Sequence, residues 1–179
     1  MSQGITIRPV THENWEAFAR FFGAKGSPHY CWCTLHRLGD GRKSSKAEKK
    51  ASMLKLVDAG TPIGLLASHG GEPVGWCSVA PRETYARLER SRTMPRVTSP
   101  ETPTWTVLCF FVARHWRHQH IANALLEGAI AYARDQGAAV IEGYPFDTAG
   151  ITATHRGHSD MFKALGFEFE GKRWCKRIG

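Results

Sequence analysis

A run of apolar residues followed by a basic turn and an amphipathic helix most constrains how this chain can fold. Residues 104–112 read Thr-Trp-Thr-Val-Leu-Cys-Phe-Phe-Val, which predicts a buried strand. The next residues, 113–120, read Ala-Arg-His-Trp-Arg-His-Gln-His, and apolar periodicity then predicts a helix over about 121–136. Backbone N–H groups at a helix start are unpaired, and the helix dipole favours negative charge there. The combination predicts a socket into which a diphosphate fits.

The composition predicts one globular domain over residues 1–179. No stretch approaches the ~20 apolar residues that a membrane span requires. Residues 1–9 lack the apolar core of a signal peptide and are interpreted as leading into a first strand. The chain has five cysteines, an odd number without secretory context, which indicates reduced thiols in a cytoplasm.

The net charge of +8 makes nucleic acid the first partner to consider. The positive residues are spread over the segments 37–50, 82–96, 114–117 and 172–177, and no recognised nucleic-acid-binding module is present. Solvated basic faces together with one phosphate site account for this charge better. Nucleic acid is therefore not the expected partner.

Periodicity and turn signals predict the order β-α-α-β-β-(α)-β-α-β-α-β, which is a mixed sheet covered by helices. The predicted strands span 5–10, 63–68, 73–80, 104–112, 138–143 and 167–177. The predicted helices span 14–22, 83–91, about 121–136 and 160–165, with another from the capping box Ser45-x-x-Glu48 to Gly60. Loops are predicted at 23–40, 94–103 and 144–157.

The basic turn and its flanks resemble the acyl-CoA loop of GNAT superfamily N-acetyltransferases. The family motif R/Q-x-x-G-x-G/A corresponds to residues 117–122, and residues 162–167 are similar to the family's last helix and its Gly-Phe exit. The resemblance implies an α/β fold whose mixed, mostly antiparallel central sheet is flanked by helices and splayed around an acyl-CoA cleft. It implies acetyl-CoA as cosubstrate, no metal, and a cofactor site formed by Phe110, Phe111, Val112, Arg117, His118, Gln119, His120, Ile121, Ala122, Asn123 and Phe162.

The chain departs from the family pattern in three places. His120 stands where the motif has glycine, and we expect it to fit only with a negative φ and its side chain directed away from the phosphates. Phe162 stands where many members carry a tyrosine that protonates the leaving thiol. The central strand 104–112 contains no carboxylate, although many members place a glutamate there.

Direct transfer of an acyl group to an amine needs a proton acceptor, because an alkyl ammonium has a pKa near ~10.4. Five side chains of suitable chemistry follow from the predicted layout: His155, Glu142, Tyr144, His158 and Cys109. His155 is preferred, since an unperturbed imidazole titrates near pH ~6.5 and can both accept and donate a proton. A main-chain N–H near Phe111 or Val112 is expected to stabilise the oxyanion.

A histidine and cysteine cluster at 29–36 offers zinc binding as an alternative. Its C-x-C spacing is a poorer zinc arrangement than C-x-x-C, and no second pair lies at the expected distance. We instead expect Tyr30, Cys31 and Trp32 to lie on a loop over the acceptor pocket, where aromatic walls shape substrate choice.

Residues and resemblance together predict transfer of an acetyl or short acyl group from acetyl-CoA to a primary amine of a small molecule or peptide. Two alternatives stay open. One is an acyl-CoA-binding sensor or degenerate domain without turnover, which the missing tyrosine and glutamate favour. The other is a nucleic-acid or zinc-dependent module. The oligomeric state is also open, with a homodimer as one option.

Overall fold

The computed structural model describes residues 4–38, 43–147 and 154–179. The strands are β1 (Ile5–Pro9), β2 (Leu65–His69), β3 (Glu72–Pro81), β4 (Thr104–Val112), β5 (Val140–Gly143), β6 (Glu168–Glu170) and β7 (Arg173–Arg177). The helices are α1 (Trp15–Gly23), α2 (Lys46–Asp58), α3 (Ile121–Asp135) and α4 (Ser159–Ala164). None of the helices in the described part of the chain is long and apolar enough to cross a membrane.

Within these residues, seven strands form one sheet in the order β1-β2-β3-β4-β5-β7-β6. β4 and β5 run parallel, and each other neighbouring pair is antiparallel. The mixed, mostly antiparallel sheet that the family resemblance implies is therefore confirmed. β4 lies at its centre, with the long helix α3 directly following it along the chain.

Helices cover both faces of the sheet. On one face α3 packs its apolar stripe, which includes Leu125 and Ala129, against β2, β3 and β4. On the other face α1 packs Phe18 and Phe22 against Trp76 of β3, with ring centroids 4.8 and 5.5 Å apart. The i, i+4 spacing of these two phenylalanines places both on the side of α1 that meets the sheet.

The capping box predicted for α2 is present. The Ser45 hydroxyl accepts a hydrogen bond from the Glu48 N–H at 3.2 Å, and the Glu48 carboxylate accepts one from the Ser45 N–H at 2.6 Å. That backbone hydrogen bond lowers the pKa of Glu48. The helix consequently begins at Lys46 and ends two residues before Gly60, as its sequence signals predict.

The prediction of a helix over 83–91 is wrong. The segment forms a 3-10 turn at Arg82–Thr84 followed by further turns, in which the N–H groups of Leu88 and Ser91 donate to carbonyls three residues earlier. The Arg82 guanidinium donates to the carbonyl oxygens of Leu88 at 3.3 Å and Met94 at 2.8 Å. The Arg87 N–H, which a helix would direct to the Glu83 carbonyl, instead donates to the His36 carbonyl at 3.0 Å.

The single strand predicted for 167–177 is a hairpin instead. Gly171 adopts φ +66° between β6 and β7, a conformation that glycine takes without steric cost, and the chain reverses there. Parts of two predicted loops, residues 39–40 and 148–153, lie outside the described residues.

A glycine of β3 sets the distance between α3 and the sheet. A Cβ at Gly75 would lie 2.8 Å from the Ile121 Cγ2 atom and 3.2 Å from the Leu125 Cδ1 atom. Only a residue without a side chain lets the first turns of α3 approach the sheet this closely.

We expect Gly75→Ala to lower the free energy of unfolding by about 1–3 kcal/mol, because the added methyl overpacks this contact. Urea denaturation measures the change. Gly23→Ala is the matched control, since a Cβ there meets no atom within 4 Å. Equal effects of the two substitutions would show that the close contact at Gly75 does not constrain α3.

Candidate functional site

β4 and β5 separate part-way along their length. Their parallel pairing ends at Val107 opposite Gly143, whereas β4 continues for five more residues to Val112. Beyond this point, the β5 side of β4 has no strand partner among the described residues. The edge formed by 108–112 is one wall of a cleft, and its backbone polar groups are available to a ligand.

A β-bulge lies where the two strands separate. On the β3 side, Cys109 is opposite Ser78 and Val107 is opposite Val79, so Leu108 is one extra residue in β4. A bulge bends its strand and increases the local twist. The bulge therefore directs the end of β4 away from β5 and opens the cleft.

Two amides of this edge point into the cleft. The Ala113 N–H donates to the Val74 carbonyl at 2.9 Å and so faces β3. Backbone groups alternate in direction along a strand, so the N–H groups of Val112 and Phe110 face away from β3, into the cleft. Arg117 Nε donates to the Val112 carbonyl at 3.3 Å.

The N-terminus of α3 follows β4 after a turn of eight residues, 113–120. The first helical hydrogen bond runs from the Ala124 N–H to the His120 carbonyl at 3.0 Å, so the N–H groups of Ile121, Ala122 and Asn123 precede it and have no intrahelical acceptor. No side chain of the described residues caps α3, and its first turn holds no acidic residue. These amides and the helix dipole form an anion-binding site next to the open edge of β4.

A buried ion-pair cluster lies immediately below the point where β4 and β5 separate. Glu142 of β5 is fully buried and accepts hydrogen bonds from Nη1 of Arg82 and Nη1 of Arg173. It also accepts from the Thr106 hydroxyl at 2.9 Å and the Tyr144 hydroxyl at 3.1 Å. The carboxylate thus links β4, β5, β7 and the turn after β3, and these partners offset the cost of burying its charge.

The cluster shifts the pKa values of Arg82 and Tyr144. Burial works against the charged form of Arg82, but Glu142 and Tyr144 more than offset it and raise its pKa. Burial, reinforced by the Glu142 carboxylate, raises the pKa of Tyr144, which stays a neutral hydroxyl. The geometry favours a structural role for Glu142 over proton transfer.

A second opening, the basic cavity, has a volume of about 430 Å³ and is lined by His36, Arg87, Arg90, Arg156, Leu35 and Met94 among others. It lies on the α1 and α2 side of the sheet, because its lining residue Met94 packs with Ala80 of β3, whose side chain is on the same face as that of Trp76. Burial, followed by the positive charges of Arg156 and Arg87, lowers the pKa of His36 to about 4. No sequence pattern predicts this cavity, since its residues come from three separate segments.

The matching family model is described as Acetyltransferase (GNAT) family and covers residues 11–151. The chain belongs to the GNAT acetyltransferase family. Its members are acyl-CoA-dependent N-acetyltransferases, and acetyl-CoA is therefore the cosubstrate to be placed in the cleft. Among proteins of curated function, none shows significant sequence similarity to the chain.

Solved GNAT structures share the fold over nearly the whole chain. The yncA protein of Salmonella typhimurium, solved with acetyl-CoA, is 14% identical with a TM-score of 0.59, covering 99% of this chain and 95% of its own. A ribosomal-protein-alanine N-acetyltransferase of Brucella melitensis is 17% identical with a TM-score of 0.58, covering 97% and 99%. A phosphinothricin acetyltransferase of Sinorhizobium meliloti, also with acetyl-CoA, is 14% identical with a TM-score of 0.58, covering 99% and 90%.

The GNAT motif takes an unexpected backbone conformation at its histidines. His118 has φ +62° and His120 has φ +58°, so the expectation of a negative φ at His120 is wrong. His120 is the N-cap of α3, and it adopts the left-handed conformation that glycine takes most easily, although a Cβ makes that conformation costly. Gln119 braces this turn, because its side-chain amide donates to the His115 carbonyl at 2.9 Å.

Phe162, which stands at the family's tyrosine position, is a core residue of α4. Its side chain is fully buried, and its ring lies 4.9 Å from that of Phe167 between centroids. It packs so closely on the end of β5 that a Cβ at Gly143 would overlap the ring. Phe162 therefore supports the β5 wall of the cleft from within the core.

The predicted catalytic histidines lie on the segment before α4. His155 is exposed on the 3-10 turn Thr154–Arg156, which packs against β4, and it contributes to the lowered pKa of His36. His158 is exposed at the N-cap of α4. The structure therefore brings the turn that carries His155 to the strand with the bulge.

The residues predicted for the acceptor pocket divide between surface and core. Tyr30 is 64% exposed, whereas Trp32 is 5% exposed and stacks on Phe22 with centroids 5.6 Å apart. The Trp32 ring is therefore part of the core against α1, and its contact with an acceptor stays a prediction. Cys31 is half-buried beside them. No group of three or more His, Cys, Asp or Glu side chains in the described ranges could hold a metal ion.

We expect His120→Gly to keep or tighten acetyl-CoA binding, because glycine holds the left-handed conformation of the turn without strain. His120→Val should weaken binding by roughly tenfold, since a β-branched residue strongly disfavours positive φ. Isothermal calorimetry measures both. A hundredfold loss in His120→Gly would show instead that the imidazole is itself a ligand.

We expect Glu142→Gln to lower the free energy of unfolding by about 3–5 kcal/mol, because it leaves two buried guanidinium groups without their carboxylate. Urea denaturation measures the loss. The control is Glu170→Gln, which removes a more exposed partner of Arg173 and should cost less than about 1 kcal/mol. Similar costs for the two variants would rule out the anchoring role of Glu142.

Proposed function

We propose that the protein transfers an acetyl or short acyl group from acetyl-CoA directly to a primary amine held in the same complex. The observation that carries this proposal is the juxtaposition of the uncapped N-terminus of α3 with the open edge of β4. The first feature suits the diphosphate of the coenzyme, and the second suits its extended pantetheine arm.

The residues at the head of α3 fit a diphosphate. The N–H groups of Ile121, Ala122 and Asn123 point out of the first turn, and the small side chain of Ala122 leaves room for phosphate oxygens. Arg117 adds positive charge, while His118 and His120 offer ring N–H groups at the rim. Together these groups would hold the coenzyme by its most highly charged part.

The edge of β4 would align the thioester. Phe110 and Val112 direct their N–H groups into the cleft, so they support hydrogen bonds to the pantetheine amides and to the thioester carbonyl. This assignment refines the oxyanion donor expected near Phe111 or Val112, because the Phe111 amide faces β3. A preorganised N–H aimed at the developing oxyanion lowers the barrier to attack.

In the proposed reaction, the amine lone pair attacks the thioester carbonyl carbon and forms a C–N bond. The carbonyl π electrons move to oxygen and form the oxyanion. They then re-form the C=O bond as the C–S bond breaks, and the sulfur leaves with the electron pair of the C–S bond. His155 accepts the proton that the amine nitrogen loses, directly or through a water. The leaving thiol has a pKa of roughly 8.5, so it departs without a dedicated acid. The proposed reaction therefore does not require a tyrosine at position 162, where this chain has phenylalanine.

An acyl-CoA-binding domain without turnover is the second candidate function. Two observations favour it: Phe162 carries no hydroxyl, and Glu142 is engaged by two arginines. We infer a cytoplasmic location for either function, because the five cysteines are free thiols.

We expect the protein to release CoA from acetyl-CoA in the presence of a suitable primary amine. Thiol release over a panel of amines measures this activity, and binding of acetyl-CoA without turnover of any amine would favour the second candidate.

Among active-site variants, His155→Ala should lower kcat by about 10²-fold to 10⁴-fold, because it removes the proposed proton acceptor. His158→Ala is the matched control and should leave kcat unchanged, since His158 lies at the N-cap of α4, beyond the turn that packs against β4. Equal activity of the two variants would exclude His155 as the base.

A further inference from the structure

We propose that the basic cavity binds an anionic group of the acceptor, so that the preferred acceptor is an amine that also carries a carboxylate or a phosphate. This inference rests on the proposed acyl transfer and adds the substrate class to it.

The charge of the cavity is the first support. Three of its eight lining residues are arginines and none is acidic. By contrast, the buried arginines Arg82 and Arg173 both contact the Glu142 carboxylate. Arg156 makes no ion pair with a carboxylate among the described residues; its guanidinium lies over the Phe146 ring, 4.9 Å from the centroid, and its Nε is buried without a hydrogen-bond acceptor there. A desolvated guanidinium is best complemented by an anion that accepts its N–H groups.

The location of the cavity is the second support. The 3-10 turn that carries Arg156 packs against β4, and Met94 packs in one apolar cluster with Leu108. Leu108 and Cys109 form the bulge at which β4 leaves β5. The cavity therefore approaches β4 at the place where the proposed thioester carbonyl would lie.

The cavity is distinct from the anion site at the head of α3. α3 packs on one face of the sheet, whereas the cavity lies on the face covered by α1 and α2. An anion in the cavity would thus belong to the second substrate, the acceptor. The acceptor would reach the bulge from the face covered by α1 and α2, whereas the coenzyme diphosphate would lie on the face covered by α3.

The size of the cavity favours a small acceptor. A volume of about 430 Å³ is in the range of pockets that enclose small molecules. Arginine forks match the geometry of carboxylate and phosphate oxygens, and Arg87 is held in place by donating to the Leu35 carbonyl at 3.3 Å. A free amino acid or a phosphorylated amine has both the size and the charge that these features select.

Matched pairs of amines test this inference. Acetyl transfer is measured with leucine against leucinamide and with O-phosphoethanolamine against ethanolamine, so that the two pairs separate carboxylate from phosphate. The anionic member of at least one pair should have a kcat/KM higher by about tenfold to hundredfold, the range expected for a hydrogen bond to a charged group.

Arg156→Met should remove that advantage through a higher KM for the anionic amine, without changing the KM for acetyl-CoA or the rate with the neutral amine. Arg92→Met, an exposed arginine that does not line the cavity, is the control and should behave as the wild type. Equal kcat/KM within both pairs would overturn the inference while leaving the proposed acyl transfer intact.

If no amine is acetylated, the proposed function fails, and binding still decides the inference. Calorimetric titration of leucine and O-phosphoethanolamine into the CoA-loaded protein should then show binding that Arg156→Met weakens by at least about tenfold. No binding, or binding that Arg156→Met leaves unchanged, would overturn the inference.

Discussion

The buried carboxylate of Glu142 holds together the part of the sheet on which the site depends. Its position on β5 lets one charged group accept from Thr106 of β4 and Arg173 of β7, as well as from Arg82 after β3. Moving a carboxylate out of water costs several kcal/mol. The hydrogen bonds and positive charges of these donors offset that cost. Because the cluster secures the base of β4 and β5, the strands can separate above it without loosening the fold.

That separation gives β4 two functional sides. Towards the head of α3, its edge offers amides at Phe110 and Val112, next to a helix terminus suited to phosphate. Towards α1 and α2, the bulge residue Leu108 packs in one apolar cluster with Met94, which lines the basic cavity. The net charge of +8 would thus attract two anions, the polyanionic coenzyme at the head of α3 and an anionic acceptor in the basic cavity. The two substrates would meet at the bulge.

Local signals in the sequence predicted the elements that carry the site, whereas contacts between distant segments could not be predicted. The apolar run of β4, the start of α3 and the capping box at Ser45 are encoded within a few residues of each other. The bulge at Leu108 depends on register with β3, and the partners of Glu142 lie up to 60 residues away. Likewise, no helix forms over 83–91 because the Arg87 N–H donates to the His36 carbonyl, a contact between distant segments that periodicity does not register.

The central claim is that the head of α3 and the edge of β4 bind one ligand together. Backbone amide NMR during a titration with acetyl-CoA tests it most directly. We expect the largest shift changes at Ile121, Ala122 and Asn123, with Phe110 and Val112 following the same saturation curve. Unchanged α3 amides, with the largest changes around the basic cavity instead, would contradict it.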